Sequence, residues 1–333
     1  MPELRLNIIT RDWVVIATER AKRPDQFVRA KREGPPLPSF DASCPFCPGN
    51  EHLTLKETLR LGDPDKWNVR VIPNKFPALS TEGARTRGGH GIFRSMSGVG
   101  YHEVIVEHPR HDLTTALMDV PDIVEVLKAY RERYKEIRKD PRIEAIIIFK
   151  NHGETAGTSL VHPHSQLAAT PVVPFQFRAR LAEATRYFDE HGECIFCRLL
   201  RDELAERSRI VHQSGHFVAF IPYAALSPFH TWIFPRRHAS SFDGITDDEL
   251  TDFARITKSI LSRLYHGLND PDYNYSIRSV PTDFTDTDYF HWYLTIIPRV
   301  TRTAGFEYGS GMFINTSLPE ESAEFLRRVK MSE

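Results

Sequence analysis

Cys44-Pro45-Phe46-Cys47 and Cys194-Ile195-Phe196-Cys197 write one short motif twice, about half a chain apart. The segments downstream of the two copies repeat as well. Val71-Ile72-Pro73 with Pro77-Ala78-Leu79-Ser80 answers to Phe220-Ile221-Pro222 with Ala224-Ala225-Leu226-Ser227. Glu107-His108-Pro109-Arg110-His111 answers to Phe234-Pro235-Arg236-Arg237-His238. A helix pattern, a strand and a His-bearing strand come next in each half, the last being His162-Pro163-His164 and His291-Trp292-Tyr293. Self-similarity over such a period marks an internal duplication. The stretch from Cys47 to His162 is longer than that from Cys197 to His291, so the loops have diverged. The chain divides on this reading into residues 1–185 and 186–333.

Local patterns set the class of each half. Trp13–Ala17, Val69–Pro73, Glu103–Glu107 and 144–149 read as strands from their β-branched and apolar content. Residues 121–139 read as a helix, with Ile123, Val126, Leu127, Tyr130 and Tyr134 on one face and Asp119 or Pro121 to open it. The second half offers strands at 209–212, 217–221, 231–234, 274–278 and 292–297. Its helix covers 247–265, with Leu250, Phe253, Ile256, Ile260, Leu261 and Leu264 in register. Helices set against antiparallel strands give an α+β class, each half an antiparallel sheet with packed helices.

Composition narrows the function. The 333 residues carry 43 Lys+Arg against 44 Asp+Glu, a formal net charge of -1, and 41% are hydrophobic. Those are the proportions of a globular protein with ample core. Near-neutral balance argues against a general nucleic-acid binder, whose affinity comes from a basic surface. No apolar run approaches the roughly 18 residues of a membrane span, and Met1-Pro2-Glu3-Leu4-Arg5 does not read as a leader. A cytoplasmic location is the resulting expectation. There Cys-x-x-Cys pairs serve as metal ligands or redox centres rather than disulfides.

Each half then supplies two cysteines and two histidines. The sets are Cys44, Cys47, His111 and His162, and Cys194, Cys197, His238 and His291. Cys₂His₂ completes a tetrahedral Zn²⁺ with no open position, the arrangement of a structural site. Thiolates exclude calcium and magnesium, and favour zinc over iron at the second set. His108 competes with His111 for the first set, and the repeat favours His111. A thioredoxin-like redox role is weaker, because neither pair follows a βαβ start.

Asn151 to Gln166 is the most chemical stretch of the chain. His162 and His164 lie two apart, so on a strand they share a face with Gln166. One histidine can hold metal while the other enters a site. Gly157, Thr158 and Ser159 offer close backbone approach and hydroxyls suited to phosphate oxygens. A neutral imidazole can attack a phosphoryl centre, so His164 reads as the nucleophile of covalent nucleotidyl transfer. The second half carries Tyr293 at the matching position and so lacks a nucleophile.

These residues resemble the galactose-1-phosphate uridylyltransferases of the histidine-triad superfamily, over nearly the whole chain. The resemblance rests on Arg20-Ala21-Lys22-Arg23-Pro24, Cys44-Pro45-Phe46-Cys47, Asn74 to Leu79, His111, Asn151 to Gln166 and His291-Trp292. It implies two histidine-triad-like halves, the second degenerate. It implies His164 as the nucleotidyl carrier and His162 as a zinc ligand, with Gln166 on the phosphoryl oxygens and Ser159 and Asn151 assisting. Arg20, Arg23 and Asn74 would contact the nucleotide or sugar phosphate. The second Cys pair, Tyr293 and Gly305-Phe306-Glu307-Tyr308-Gly309-Ser310-Gly311 look more like the family's ADP-glucose phosphorylase branch, which moves AMP, and Gly311 is carried over with them.

The expected enzyme is thus a hexose-1-phosphate nucleotidylyltransferase of galactose and carbohydrate metabolism. Its partners would be a nucleotide sugar and a sugar 1-phosphate or phosphate, with two structural zincs per chain, a homodimeric assembly, no nucleic acid and no membrane. The alternatives are ADP-glucose phosphorylase, or a zinc-stabilised nucleotide-binding module without catalysis. Nucleic-acid binding through zinc is disfavoured by the neutral charge and by Cys-to-His spacings far longer than those of fingers.

Overall fold

The computed structural model describes residues 1–17, 23–30, 36–63, 66–284 and 286–331. In chain order the first half runs β1 (Glu3–Leu6), β2 (Trp13–Ile16), β3 (Leu59–Asp63), β4 (Lys66–Pro73), β5 (Arg87–His90), β6 (Phe93–Met96) and β7 (Tyr101–Val106). Helix α1 (Val120–Arg138), β8 (Ala145–His152), β9 (His164–Thr170) and α2 (Phe175–His191) complete it. The second half runs α3 (Ile195–Glu206), β10 (Ile210–Gln213), β11 (Phe217–Phe220), β12 (Thr231–Pro235) and α4 (Asp247–Leu268). It ends with β13 (Tyr273–Arg278), β14 (Tyr293–Pro298), α5 (Gly305–Ser310), β15 (Phe313–Asn315) and α6 (Pro319–Arg328).

Ten strands form one sheet in the order β10-β11-β12-β14-β13-β8-β9-β7-β4-β3. Its pairings are antiparallel throughout. Read inward from each edge, both halves show the same order: an edge hairpin, the third strand, the fifth, then the fourth. The two fourth strands, β8 and β13, pair with each other, with Ile148 opposite Ile277 and Lys150 opposite Tyr275. The α+β, antiparallel expectation holds, but the two sheets are one. The chain's ends cross the division too: β2 pairs with β1 and, in parallel, with β15. Val14 and Ile16 there pack on Ala224 of the second half.

Strand alternation sends neighbouring residues to opposite faces. On one face α1 and α4 cover a continuous core that includes Leu127, Tyr130, Ile256, Ile260, Ile148, Leu167, Ile277 and Leu294. Asp119 caps α1, its N–H donating to Asp122 Oδ2 at 3.3 Å. Thr246 caps α4, accepting from the Glu249 N–H at 3.3 Å. In each case a side chain, that of Asp122 or of Thr246, accepts from a backbone N–H at the helix start. On the other face Cys44, Phe46, Cys47 and Trp67 sit over Ile72, Val104 and Val106. Ile195, Phe196 and Leu200 of α3 cover Val218, Phe220, Trp232 and Tyr293 in the same way. Ser165, Leu167 and Ala169 of β9 therefore face the helices, while His164 and Gln166 face the cysteine side.

The shared sheet has a measurable consequence. Ile277 is 1% exposed, and its replacement by Ala is expected to cost about 2–5 kcal/mol, as a core cavity does. Urea titrations of wild type followed by far-UV circular dichroism and by tryptophan fluorescence should coincide, the whole sheet melting together. Separate transitions would contradict a sheet that the halves hold in common.

Candidate active site and metal clusters

The eight ligands expected from the repeat meet as two clusters, Cys44/Cys47/His111/His162 and Cys194/Cys197/His238/His291. Within each cluster the ligand atoms all lie within 4.8 Å of one another. Cys47 Sγ is 3.5 Å from His111 Nδ1 and 3.6 Å from His162 Nδ1. Cys197 Sγ is 3.2 Å from His238 Nδ1 and 3.4 Å from His291 Nδ1. Sulfur and nitrogen on a tetrahedral zinc, with bonds of about 2.3 and 2.05 Å, stand roughly 3.6 Å apart. Each cluster can hold a metal ion, and the donor set is consistent with zinc.

The outer nitrogens orient these rings. His162 Nε2 donates to the His108 carbonyl at 2.8 Å, and His291 Nε2 to the Pro235 carbonyl at 2.9 Å. His108 and Pro235 occupy the same place, three residues before His111 and His238, so one hydrogen bond has been copied with the fold. His238 Nε2 donates to the Thr287 carbonyl at 2.9 Å. A proton held on Nε2 leaves Nδ1 as the ligating lone pair. Burial keeps His162 and His291 neutral, pushing each down to about 3. His108 contributes its backbone to this arrangement and His111 its ring.

His164 opens β9 beside the first cluster. His162 lies in a bend before the strand, not on it as the spacing predicted. Pro163 has no N–H to join a ladder, and its carbonyl accepts from the Glu107 N–H at 3.0 Å. The His164 ring stands edge-on to Phe46, centroids 5.5 Å apart. Its Nδ1 donates to the His162 carbonyl at 2.8 Å, which leaves Nε2 as the unprotonated nitrogen. Burial lowers its pKa, and Lys150 adds to the effect, so the imidazole is neutral.

A cavity of about 410 Å³ lies in front of His164, bounded by Asn151, Gly153, Thr158, Ser159 and His162. The loop that forms it is tied to the second half. Asp272 accepts from the Thr155 N–H at 2.8 Å and from its hydroxyl. Asn274 Nδ2 donates to Asn151 Oδ1 and to the Ala156 carbonyl, both at 2.8 Å. His152 stacks on Tyr273 with centroids 4.7 Å apart and bonds Asp270 at 2.7 Å. Gly153 has φ +85, and a Cβ there would collide with the Asp272 carboxylate. Only glycine fits this crossing.

The other expected residues divide. Gln166 Oε1 accepts from His102 Nε2 at 2.8 Å. His102 Nδ1 accepts from the Ala78 N–H at 3.1 Å, and Asn74 Nδ2 lies 3.3 Å from Nε2. Asn74 thus reaches the site through His102. Gly157, at φ +90, borders Asn151. Gly311 ends α5 at φ +73 and lines a separate cavity of about 580 Å³ in the second half. It is not among the residues that line the cavity in front of His164. Arg23 lines neither of these two cavities, and Arg20 lies outside the described residues.

Sequence reasoning missed the groups beneath and beside the nucleophile position. Lys150 forms a buried ion pair with Glu107 and donates to the His164 carbonyl at 3.2 Å. Tyr130 bonds Glu107 at 3.2 Å, Ser165 at 2.6 Å and Tyr275 at 2.7 Å. No motif announces these residues, whereas His102 was detectable as the counterpart of His230. Replacing Lys150 by Met should cost about 3–5 kcal/mol in urea unfolding, because Glu107 is left as a lone buried charge. Adding Glu107→Gln should recover a large part of it; no recovery would mean that the pair is not what the site rests on.

Family models spanning most of the chain match it. The one for galactose-1-phosphate uridyl transferase, N-terminal domain, covers residues 1–174, and the one for the C-terminal domain covers residues 180–307. The chain is 38% identical to ADP-glucose phosphorylase of Arabidopsis thaliana, over 99% of this chain and 94% of that protein. It is 27% identical to galactose-1-phosphate uridylyltransferase of Thermotoga maritima, over 99% of each. The crystal structure of an ADP-glucose phosphorylase from Arabidopsis thaliana with bound ADP-glucose matches with a TM-score of 0.85 at 35% identity, covering 100% of both chains. By sequence and by fold, over its full length, the protein belongs to the galactose-1-phosphate uridyl transferase family.

Proposed function

We propose that the protein is a hexose-1-phosphate nucleotidylyltransferase working by ping-pong transfer through His164, most like UDP-glucose:galactose-1-phosphate uridylyltransferase. One observation carries the reading: the His164 imidazole is neutral, its Nδ1 proton is spent on the His162 carbonyl, and it borders a cavity. Nε2 attacks the α-phosphorus of a nucleotide sugar. A P–N bond forms, the P–O bond to the sugar 1-phosphate breaks, and that product leaves. A second sugar 1-phosphate, or phosphate, then attacks the phosphorus through oxygen and releases His164. Gln166, held by His102, and Ser159 donate to the phosphoryl oxygens, with Asn151, Gly157 and Thr158 at the cavity wall and Arg23 and Asn74 further out. Positioning and charge stabilisation supply most of the rate.

The clusters act in this reading as structural zinc sites, because four ligands leave no open position. The first holds His162 and hence the carbonyl that orients His164. Residues 1–185 and 186–333 are duplicated units of which the first keeps a nucleophile. The assembly is a homodimer, with nucleotide sugar and sugar phosphate as its small-molecule partners. No described helix is long and apolar enough to cross a membrane, and free thiols set beside histidines fit a cytoplasmic location.

A second reading, ADP-glucose phosphorylase with adenylyl transfer to phosphate, is favoured by a specific observation. Identity to the Arabidopsis phosphorylase is 38%, against 27% to the Thermotoga uridylyltransferase. UDP-glucose and ADP-glucose, each tested with galactose 1-phosphate, glucose 1-phosphate and phosphate, separate the two. Protein incubated with donor labelled at the α-phosphate should acquire acid-labile label, and His164→Ala should abolish both label and turnover. Turnover surviving in His164→Ala would sink the mechanism, and a wild type with neither label nor turnover would leave a binding module. Elemental analysis should find about two zinc per chain, with Cys44→Ser and Cys194→Ser each losing one.

A further inference from the structure

The second half repeats the construction of the first around a different chemistry. In the first half Val104 of β7 lies opposite Gln166 of β9, and in the second Trp232 of β12 lies opposite Thr295 of β14. Thr295 therefore stands where Gln166 does, and Tyr293 where His164 does. The bridging histidine is copied as well. His230 Nδ1 accepts from the Leu226 N–H at 3.2 Å, and its Nε2 lies 2.8 Å from Thr295 Oγ1 and 3.0 Å from Trp232 Nε1. His102 makes the matching contacts to Ala78 and Gln166. Phe149 faces Gln166 across the sheet as Ser276 faces Thr295. Two residues further, Asn151 of the first half answers to Arg278 of the second.

This duplicate opens on the cavity of about 580 Å³, lined by Tyr293, Thr295, His230, Arg278 and, from α2, Arg180. Tyr293 is packed against Trp232 and Phe234, with centroids 5.1 and 4.8 Å away. It fills the nucleophile's place without its chemistry. The two arginines are placed against each other's interest. Burial, then the charge of Arg180, pushes the Arg278 guanidinium down to about 10, still charged at neutral pH. Arg180 Nη1 bonds the Gln176 carbonyl at 2.9 Å. The Nε atoms of both Arg180 and Arg278 are buried without an acceptor. Among the described residues neither guanidinium has a carboxylate partner. Arg299 and Arg302 line the same cavity together with Asp12 and Glu307; Arg299 Nε donates to Asn274 Oδ1 at 2.6 Å, and Glu307 accepts the Ala304 N–H at 2.9 Å.

Two like charges lining one cavity, each with a buried Nε that nothing accepts from, are costly unless an anion lies between them. Guanidinium forks match the oxygens of a phosphate. The cavity is far larger than one phosphate, and Phe175, Trp232 and Ile297 give it apolar walls suited to a base or sugar. We infer that this second-half cavity is a non-covalent binding site for a phosphate ester, a nucleoside or sugar phosphate, held by Arg180 and Arg278. The duplicated pocket has exchanged a nucleophile and an asparagine for a tyrosine and an arginine. Transfer has been replaced by capture. The inference rests on the duplicated fold, not on covalent chemistry at His164.

Equilibrium dialysis tests it with labelled AMP, UMP, glucose 1-phosphate and inorganic phosphate, on wild type, Arg278→Gln and Arg180→Gln. Each comparison is repeated in the His164→Ala background. For at least one ester, each arginine variant should lose one equivalent of binding, or bind it about tenfold or more weakly. The same difference should persist when His164 is absent. Inorganic phosphate binding as tightly as every ester would make the ligand a free anion and overturn the ester assignment. Equal binding of all probes by wild type and folded Arg180→Gln, a change at the helix surface, would overturn the site altogether. Absence of label on His164 would count against nucleotidyl transfer and leave this difference unaffected.

Discussion

The pairing of β8 with β13 is the contact on which the rest of the molecule depends. It joins two five-stranded sheets into one of ten strands. It also brings the end of β13 under the loop that precedes His164. Asp270, Asp272 and Asn274, all from the second half, hold His152, Thr155 and Asn151 in the first. The second half therefore helps to build the cavity in front of His164. Such anchoring matters because a nucleophile contributes only when its target is held within about half an ångström of reacting geometry.

The metal clusters do for the loops what that pairing does for the strands. Each draws ligands from a Cys-x-x-Cys pair, in a turn in the first half and at the start of α3 in the second, from a segment after the third strand, and from just before the fifth. Residues more than a hundred positions apart, such as Cys47 and His162, are held in contact. The backbone carbonyl of the first cluster's own ligand, His162, takes the proton of His164 Nδ1. The ligand cluster and the orientation and tautomer of the His164 ring are thus one linked arrangement. Beneath it the Lys150–Glu107 pair and the Tyr130 network place ionic and hydroxyl groups on the face that α1 covers. A buried charge pair is tolerable there because every partner is satisfied.

Much of this is legible in the chain. The copied cysteine motif, the 3.6-residue pattern of α1 and α4 and the β-branched runs are local signals, and the elements lie within a few residues of where those signals put them. All eight ligands can be named from the repeat, because a metal site needs particular side chains and leaves them at recognisable spacings. The two-residue rule wrongly sets His162 on a strand, because it ignores that proline ends a ladder. Resemblance carries Gly311 over as a substrate-binding residue, and it lines the second cavity rather than the one before His164. The edge strand β3, the β5–β6 hairpin and the short β1 and β15 carry little periodicity, and so escape a reading by pattern.

Read alone, the amino-acid order declares a repeated motif, two Cys₂His₂ sets and one half with a His-Pro-His stretch. These depend on residue type and spacing, which a chain states openly. Folding in three dimensions was needed to show that the halves share a sheet and that Asp272 and Asn274 hold the loop before His164. It was needed, too, to show that His102 orients Gln166 and that Arg180 meets Arg278 in a second cavity. Those facts are distances between residues remote in the chain. They arise from strand pairing and register, which fall into place only when the whole core is buried at once.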